Sequence, residues 1–219
     1  MSSAQGPAAP VVEDPDLPEL DPGDVAELAA GERFDGVRFD GGTLADRDLS
    51  GVTLTECELL DVRLAEVQLR SARLVHTRVV GLDAPMLAVA RSAWRSVHLE
   101  RSRVGAAELY EGDLQAVTVS GSKLGWVNLR GAALRDVLVV DCAIDELDLS
   151  SATAERVAFR GCTVGTLTLG RARLHDVDLR GLEIGTVGGV GGMAGATIST
   201  EQAVALTDVF AGHIGVRVL

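Results

Sequence analysis

An apolar residue recurs at every fifth position from Phe34 to Ile184, without exception in 31 consecutive positions. Against an overall hydrophobic content of 47%, such a run would arise by chance with a probability on the order of 10⁻¹⁰, so it is a repeat. A period of five matches neither the helical period nor the two-residue period of a strand, and therefore cannot stay on one face of either element. The chain must change direction at regular intervals.

A second stripe, two residues before the first, defines the repeating unit. It holds mostly small or β-branched residues, such as Val52, Val97 and Ser122, and the residue between the two stripes is usually polar, as in Arg38 and Asp113. This in, out, in alternation is typical of a short β-strand. The other two residues of each unit are rich in Gly, Asp, Ser and Arg, which favour a tight bend. Each unit is therefore predicted to be one short side and one corner.

The second stripe also indicates how many sides close one coil. Between Ser92 and Val177 it alternates small and large residues, and only Ala107 interrupts the alternation. A ten-residue sub-period stacks small on small and large on large only if the number of sides is even. Four sides, and hence twenty residues per coil, preserve the alternation.

The repeat resembles that of the pentapeptide repeat proteins. Segments such as VRFDG, VNLRG, AALRD, VAFRG, ARLHD and VDLRG carry the likeness, which covers about 155 of the 219 residues. The resemblance implies an all-β solenoid, a right-handed quadrilateral β-helix of about eight coils with short helical caps at both ends. Two positions depart from the pattern. Arg47 occupies a small-residue position, and Pro85 lies within residues 82–86 (LDAPM), where we expect a bulge or widened loop.

The regions before the repeat are predicted to differ from it. Residues 1–20 contain several prolines and carboxylates and neither Lys nor Arg, which predicts an acidic, Pro-rich disordered tail. Residues 21–31 are predicted to form a capping helix, with Asp21 as N-cap, Pro22 at the first helical position and Gly31 past the end. The β-helix itself is assigned to residues 32–187.

Residues 188–219 are predicted to form a Gly-rich loop, a helix and a terminal strand. Ser199 and Gln202 have the spacing of a capping box at the start of a helix over residues 200–211. This tail is similar to the C-terminal segment of mycobacterial fluoroquinolone-resistance pentapeptide proteins, where it contributes to a dimer. Two roles remain open, a homodimer contact and a cap on the last coil. The candidate dimer contacts are Val204, Leu206, Val209 and Phe210.

No residue pattern indicates catalysis, a metal or a cofactor. Cys57, Cys142 and Cys162 all occupy inward positions, and the last two should stack on consecutive coils. A metal or redox pair is one interpretation, but buried small apolar residues are favoured because neither a second pair nor a nearby histidine accompanies them. Nucleophile–base spacings, phosphate-binding loops and metal motifs are not found. The sequence predicts a protein that is not an enzyme and has no catalytic, cofactor-binding or metal-binding residues.

The start of the chain and its hydropathy predict a cytoplasmic protein that does not enter a membrane. The first ten residues, MSSAQGPAAP, contain neither basic residues nor an apolar core, so they do not resemble a secretory signal. Every five-residue unit carries a polar residue, so no stretch approaches about eighteen uncharged apolar residues.

The distribution of charge along the chain helps to choose between two non-enzymatic functions, a protein-binding scaffold and a mimic of DNA. Some members of the family resemble double-stranded DNA in shape and charge and bind DNA gyrase in its place, which protects it from quinolones. The net charge is −12, but residues 33–187 hold 22 acids against 19 bases. DNA presents one charge per ~1.7 Å, so a rod of about 37 Å would need about twenty uncompensated charges. The favoured hypothesis is a protein-binding or scaffolding solenoid with an unknown protein partner and no direct nucleic-acid binding. A gyrase-binding DNA mimic is the alternative.

Candidate partner contacts are outward residues that depart from the repeat. Trp126 and Tyr110 lie at corner positions, and Met86 lies in the irregular segment. Asp145 and Glu146 lie on the most acidic face. These five residues are the predicted contact set.

Overall fold

The five-residue repeat folds as an all-β parallel solenoid of about nine turns in the computed structural model, which describes residues 6–218. Strands pair with the coil before and the coil after at an offset of twenty residues; Trp94, for example, aligns with Leu74 and with Leu114. The predicted twenty-residue coil with four sides is confirmed. The turn count is one above the expected eight, and a strand formed before the repeat contributes to it.

Within residues 6–218, twenty strands build the walls. They are β1 (Asp21–Gly23), β2 (Arg33–Asp35), β3 (Val37–Asp40), β4 (Thr43–Ala45), β5 (Thr53–Thr55), β6 (Glu58–Leu60), β7 (Arg63–Ala65), β8 (Arg73–Val80), β9 (Asp83–Ala88), β10 (Ala93–Glu100), β11 (Arg103–Glu108), β12 (Asp113–Ser120), β13 (Lys123–Asn128), β14 (Ala133–Val140), β15 (Ala143–Asp148), β16 (Thr153–Arg160), β17 (Cys162–Thr168), β18 (Arg173–Asp178), β19 (Leu182–Gly188) and β20 (Ala196–Thr197). Twelve form one sheet and eight, from β4 to β19, form the other. The long strands bend at a corner, so that each covers parts of two walls.

The apolar stripe forms the core. All 31 stripe residues are buried in one continuous cluster or pack against it. The four walls are named by their inward centres. The first wall has Phe34, Leu54, Leu74, Trp94, Leu114, Leu134, Ala154 and Leu174; the second has Phe39, Leu59, Val79, Leu99, Val119, Val139, Phe159 and Leu179; the third has Leu44, Leu64, Ala84, Val104, Leu124, Ile144, Val164 and Ile184; the fourth has Leu49, Leu69, Val89, Leu109, Leu129, Leu149 and Leu169.

Most corners contain a residue in the left-handed conformation, including seventeen that are not glycine. Each costs about 1 kcal/mol, and hydrogen bonds between coils offset this cost; the amide of Asp61, for example, donates to the carbonyl of Val80 at 2.8 Å. The bends occur every fifth residue, as the sequence predicts.

The corner between the third and fourth walls changes at Pro85. The corner residue has a left-handed backbone conformation in the first two coils, where it is Asp46 and then Glu66. From Met86 onward, the residue at this corner is not left-handed. Strand β9 runs through Pro85, so the widened loop expected at residues 82–86 is wrong. The irregularity lies in the hydrogen-bond ladder between β7 and β9, which align at a single pair of residues, Arg63 and Asp83. Proline lacks an amide hydrogen, which accounts for the interrupted ladder at this point.

The N-terminal region differs from its predicted form. Residues 6–20, expected to be disordered, lie along the second wall and contact it; residues 1–5 are outside the described part of the chain. Residues 21–31 form strand β1, which pairs with β3, and a single 3₁₀ turn over Val25–Glu27. The N-cap is Asp24, whose carboxylate accepts from the amide of Ala26 at 2.9 Å, and not Asp21. Pairing with the first coil therefore outweighs the local helix signal.

Arg47, which breaks the small-residue stripe, joins this N-terminal cap to the first coil. Its Nη2 atom donates to the carbonyl of Leu28 at 2.9 Å. Leu28 is 2% exposed and covers the end of the apolar axis. The departure from the repeat pattern thus has a structural role.

The C-terminal segment caps the last coil. After a 3₁₀ turn at Val190–Met193 come strand β20 and two helices, α1 (Thr200–Ala205) and α2 (Thr207–His213), so the single helix expected over residues 200–211 is interrupted at Leu206. The predicted capping box between Ser199 and Gln202 is present. Residues 214–218 form no strand, which differs from the expected terminal strand; Leu219 is outside the described residues.

Gln202 connects this segment to the last coil. Its side-chain amide donates to the carbonyls of Leu179 and Leu182, both at 2.7 Å. Two backbone acceptors at the end of the solenoid are thereby satisfied without another coil, which is the role of a cap.

We expect Gly192→Ala to destabilise the C-terminal cap, whereas Gly191→Ala should not. A Cβ atom at Gly192 would lie 1.8 Å from the backbone oxygen of Leu169, which belongs to the solenoid. At Gly191 the nearest atoms belong to the His213 ring, at 3.3 Å, and a side chain can shift. The expected loss for Gly192→Ala is about 1–3 kcal/mol. Thermal melts together with hydrogen exchange of residues 196–213 measure it, and equal exchange in the two variants would contradict the prediction.

Candidate functional site

Two of the predicted contact residues lie on one edge of the solenoid. Met86, Ala106 and Trp126 align on consecutive coils at the corner between the third and fourth walls, and we call this set the ridge. Met86 is 44% exposed and Trp126 is 36% exposed. Two coil spacings, about 10 Å, separate them. The pairing register therefore joins residues forty positions apart into one apolar strip.

The third wall beside the ridge is flat because glycine recurs there. Gly105 and Gly125 lie in the column next to the ridge, and a Cβ atom at Gly125 would lie 2.1 Å from the backbone oxygen of Gly105. Without side chains in this column, a partner can approach the backbone closely.

Charged residues border the ridge on two sides. Glu146 follows Trp126 in the same column, next to Asp145, and both are exposed. Arg103 and Lys123 align with each other on the third wall, and neither has a carboxylate within 4.0 Å among the described residues. The apolar strip thus has cations along one side and carboxylates at one end.

Tyr110 is not part of this surface. It lies at the next corner, between the fourth and first walls, where it is half-buried. There it lines a shallow depression of about 420 Å³ with Glu111, Asn128 and Arg130. The predicted contact set therefore divides into the ridge with its acidic end and a separate Tyr110.

Ion pairs between coils neutralise much of the surface charge. On the second wall, Arg38 Nε lies 2.7 Å from Glu58 Oε2, and Arg78 bridges from Glu58 at 3.7 Å to Glu100 at 2.9 Å. The hydrogen bond from Arg78 lowers the pKa of the Glu100 carboxyl below its ordinary value. Similar pairs join neighbouring coils elsewhere: Arg63–Asp83, Arg91–Glu111, Arg95–Asp113, Arg130–Asp148, Arg135–Glu155 and Arg156–Asp136.

The cysteines form hydrogen bonds inside the solenoid. Cys142 Sγ donates to the carbonyl of Val140 at 3.2 Å, and Cys162 Sγ donates to that of Arg160 at 3.3 Å. Ser122 makes the same contact one coil earlier. The pKa of the Cys142 thiol is raised, first by its hydrogen bond with the Cys162 sulfur and then by burial. The thiols thus give corner carbonyls a second hydrogen bond, beside the one from a backbone amide, as the serine hydroxyl does. The prediction of small apolar residues missed this role.

Chemical sites of other kinds are not found within residues 6–218. No group of three or more His, Cys, Asp or Glu side chains could hold a metal ion there, and neither α1 nor α2 is long and apolar enough to cross a membrane. Two cavities of about 60 and 80 Å³ lie on the axis and are lined by apolar side chains, among them Trp94. Neither has the volume of a cofactor site.

The candidate dimer contacts have different environments. Val204 is 70% exposed, whereas Leu206 is 7% exposed and Val209 and Phe210 pack partly against the core. Leu206 therefore serves the cap and is not available to a partner. The predicted homodimer contact stays a prediction for Val204, Val209 and Phe210.

One feature of the second wall was missed from the sequence. His98 and Asp136 point outward, yet they are only 5% and 7% exposed, and both contact residues 6–20. The sequence did contain a signal that this wall is covered. Val80, Leu138 and Val140 are apolar at outward positions of this wall, where the repeat usually places polar residues.

Two solved structures match this chain at low sequence identity. QnrB1, a plasmid-mediated fluoroquinolone resistance protein, matches at 15% identity over 90% of this chain and 96% of its own, with a TM-score of 0.35. HetL, a pentapeptide repeat protein involved in heterocyst differentiation regulation in the cyanobacterium Nostoc, matches at 18% identity over 71% of this chain and 84% of its own, with a TM-score of 0.23. No protein-family model and no curated protein matches the sequence. At these identities and TM-scores, the likenesses carry no argument about function.

Proposed function

We propose that this pentapeptide repeat protein, identified as such by its five-residue repeat and its four-sided solenoid, is a non-enzymatic scaffold that binds a protein partner through the ridge. The observation that carries the proposal is the exposed apolar strip of Met86, Ala106 and Trp126 beside a flat glycine column. Exposed aromatic and methionine side chains of this kind are enriched in protein interfaces.

The charges around the ridge support a protein as the partner. Arg103 and Lys123 offer cations on one side, and Asp145 and Glu146 offer carboxylates at the end. A mixed pattern of this kind suits a protein surface with complementary charges, and it gives such a partner a fixed register. A nucleic acid would instead be attracted by a cationic surface.

The test is affinity capture from a lysate of the source organism with three versions of the full chain. We expect Trp126→Ala to reduce recovery of the captured protein at least about tenfold, because central aromatic contacts cost about 2 kcal/mol or more when truncated. Tyr110→Ala, an aromatic change at the next corner, is the matched control and should leave recovery unchanged. Equal recovery with Trp126→Ala and wild-type protein would remove the ridge as the binding site.

A gyrase-binding DNA mimic is the second candidate, favoured by the exposed carboxylates of Asp145, Glu146 and Glu183 near one end. The ion pairs between coils argue against it, because they leave few uncompensated charges along the walls. A gyrase supercoiling assay with micromolar protein, with and without a quinolone, separates the two. The scaffold proposal expects neither inhibition nor protection; either result would favour the mimic.

A further inference from the structure

The second wall is covered by a segment from the start of the same chain. Residues 6–20, which we call the strap, run along this wall against the direction in which the coils advance. Val11 lies at the level of Asp136, Glu13 lies at the level of His98, and Asp21 begins the strand that pairs with the first coil.

Extended geometry accounts for this path. From His98 to the level of β1 the strap descends four coils, which is about 19 Å at the usual strand spacing. The seven steps from Asp14 to Asp21 span about 22 Å in the polyproline II conformation. The prolines of the strap favour that conformation, so the segment reaches the first coil without slack.

Polar contacts anchor the strap at two levels. The amide of Val11 donates to Asp136 Oδ1 at 2.9 Å, and that carboxylate is held from the other side by Arg156 at 2.7 Å. His98 Nε2 lies 3.1 Å from the carbonyl oxygen of Glu13, and His98 Nδ1 lies 3.2 Å from Asp14 Oδ1. The wall therefore recognises both the backbone of the strap and one of its carboxylates.

The strap is amphipathic in a pattern that fits the wall. Its half-buried residues are three prolines and three aliphatic residues, spaced alternately three and two apart, whereas its four acidic residues are exposed. Three outward residues of the same wall, Val80, Leu138 and Val140, are apolar, and none of them is fully exposed. The half-buried strap residues are Pro7, Pro10, Val12, Pro15, Leu17 and Leu20.

We propose that the second wall is a peptide-binding track for an extended, acidic, proline-rich segment of another protein, and that the strap occupies this track in cis. The wall supplies a buried carboxylate for a backbone amide and an imidazole for a carbonyl and a carboxylate. A few outward apolar residues lie among its ion pairs. The carboxylate and the imidazole are recognition elements for an extended chain rather than for a helix. The track lies on a different wall from the ridge, so the inference goes beyond the proposed scaffold function and does not depend on it.

Because the strap is tethered to the wall, another peptide can displace it only if that peptide has a higher affinity for the wall or if the strap is weakened. A tethered segment has an effective concentration in the millimolar range, about 1 mM for short linkers. A free peptide of the same sequence therefore competes poorly with the intact strap. Weakening the strap without changing the wall should reveal the track.

The test uses the full chain and a fluorescein-labelled synthetic peptide with the sequence of residues 6–20. Val12→Asp combined with Leu17→Asp places charges in the half-buried half of the strap and leaves the wall unchanged. We expect this variant to bind the peptide at least about tenfold more tightly than the wild type does, by fluorescence anisotropy. The rate of amide hydrogen exchange in residues 6–20 should also be higher in this variant than in the wild type. Ala9→Asp combined with Pro18→Asp, at exposed strap positions that make none of the anchoring contacts, is the matched control and should change neither peptide affinity nor hydrogen exchange.

A second change tests the wall itself. Adding His98→Ala to the opened variant should weaken peptide binding at least about fivefold, since a buried contact to the peptide backbone is lost. The proposal is overturned if exchange of the strap does not rise in the opened variant, if the opened variant does not bind the peptide, or if His98→Ala leaves binding unchanged. A wild-type dimer with exchanged straps, seen as a doubled mass in sedimentation that the opened variant abolishes, would assign the track to a second copy and also overturn it.

Discussion

Ala154→Asp is expected to unfold the solenoid or to lower its Tm by about 10 °C or more. Ala154 is 1% exposed on the first wall, and its neighbours in register are Leu134 and Leu174. A carboxylate at this position would face the apolar axis without a partner, which costs at least about 4 kcal/mol. Because each coil contacts only its neighbours, a defect at Ala154 separates the last coil and the C-terminal cap from the rest of the solenoid.

The adjacent residue supplies the control. Thr153 is exposed on the outer side of the same strand, and it aligns with Ala133 and Arg173 on the neighbouring coils. Thr153→Asp should change stability by no more than about 0.5 kcal/mol. Circular dichroism melts of the two variants measure the difference. Similar Tm values for both would mean that Ala154 does not face the core.

Arg156→Ala is expected to cost about 2–3 kcal/mol, a large effect for a single ion pair. Arg156 donates two hydrogen bonds to Asp136, at 2.7 and 2.8 Å. The side chain of Asp136 is 9% exposed, so without Arg156 its carboxylate would be buried with only the Val11 amide as a partner. Arg91→Ala is the matched control, because Arg91 and Glu111 are 67% and 58% exposed. Such an exposed pair contributes less than about 1 kcal/mol.

The same pair makes the stability depend on pH. The hydrogen bond from Arg156 holds the pKa of Asp136 below its ordinary value, and the Val11 amide acts in the same direction. A carboxyl whose folded pKa is depressed stabilises the fold above the unfolded pKa, and this contribution is lost as pH falls through the folded pKa. Urea unfolding between neutral pH and about pH 2.5 should therefore show a smaller acid-induced loss for Arg156→Ala than for the wild type. An equal loss in both would exclude Asp136 as a source of the acid sensitivity.

The fold could be predicted from the sequence because the repeat contains it many times. Each unit specifies the same short side and the same corner, so 31 copies of a weak signal give a coil length and an inward stripe. The corners also match the prediction, since Asp61, Arg101 and Asp141 bend the chain at the positions where the residue types favour a turn. Local departures from the repeat were harder to predict. The ladder is interrupted at Pro85, where a bulge or widened loop was expected, and β1 replaced the predicted helix because the edge of the first coil was available for pairing.

The candidate surfaces depended more on the structure. Trp126 and Met86 could be identified as unusual residues, but the sequence did not show that they share one edge and that Tyr110 does not. The contacts of His98 could not be predicted from the sequence, because its partners, Glu13 and Asp14, are 85 and 84 positions away in the chain. Contacts at such separations leave no periodic signal.

The sequence by itself determined the solenoid, its twenty-residue coil and the residues that fill its axis. These follow from hydrophobic burial with a fixed period, and every unit repeats the same local physics. Only the tertiary structure decided which outward residues meet, where the strap lies and how the last coil is closed. Those arrangements rest on single hydrogen bonds and ion pairs between distant segments, such as Val11 with Asp136 and Gln202 with Leu182. Such contacts occur once and have no repeat to reveal them.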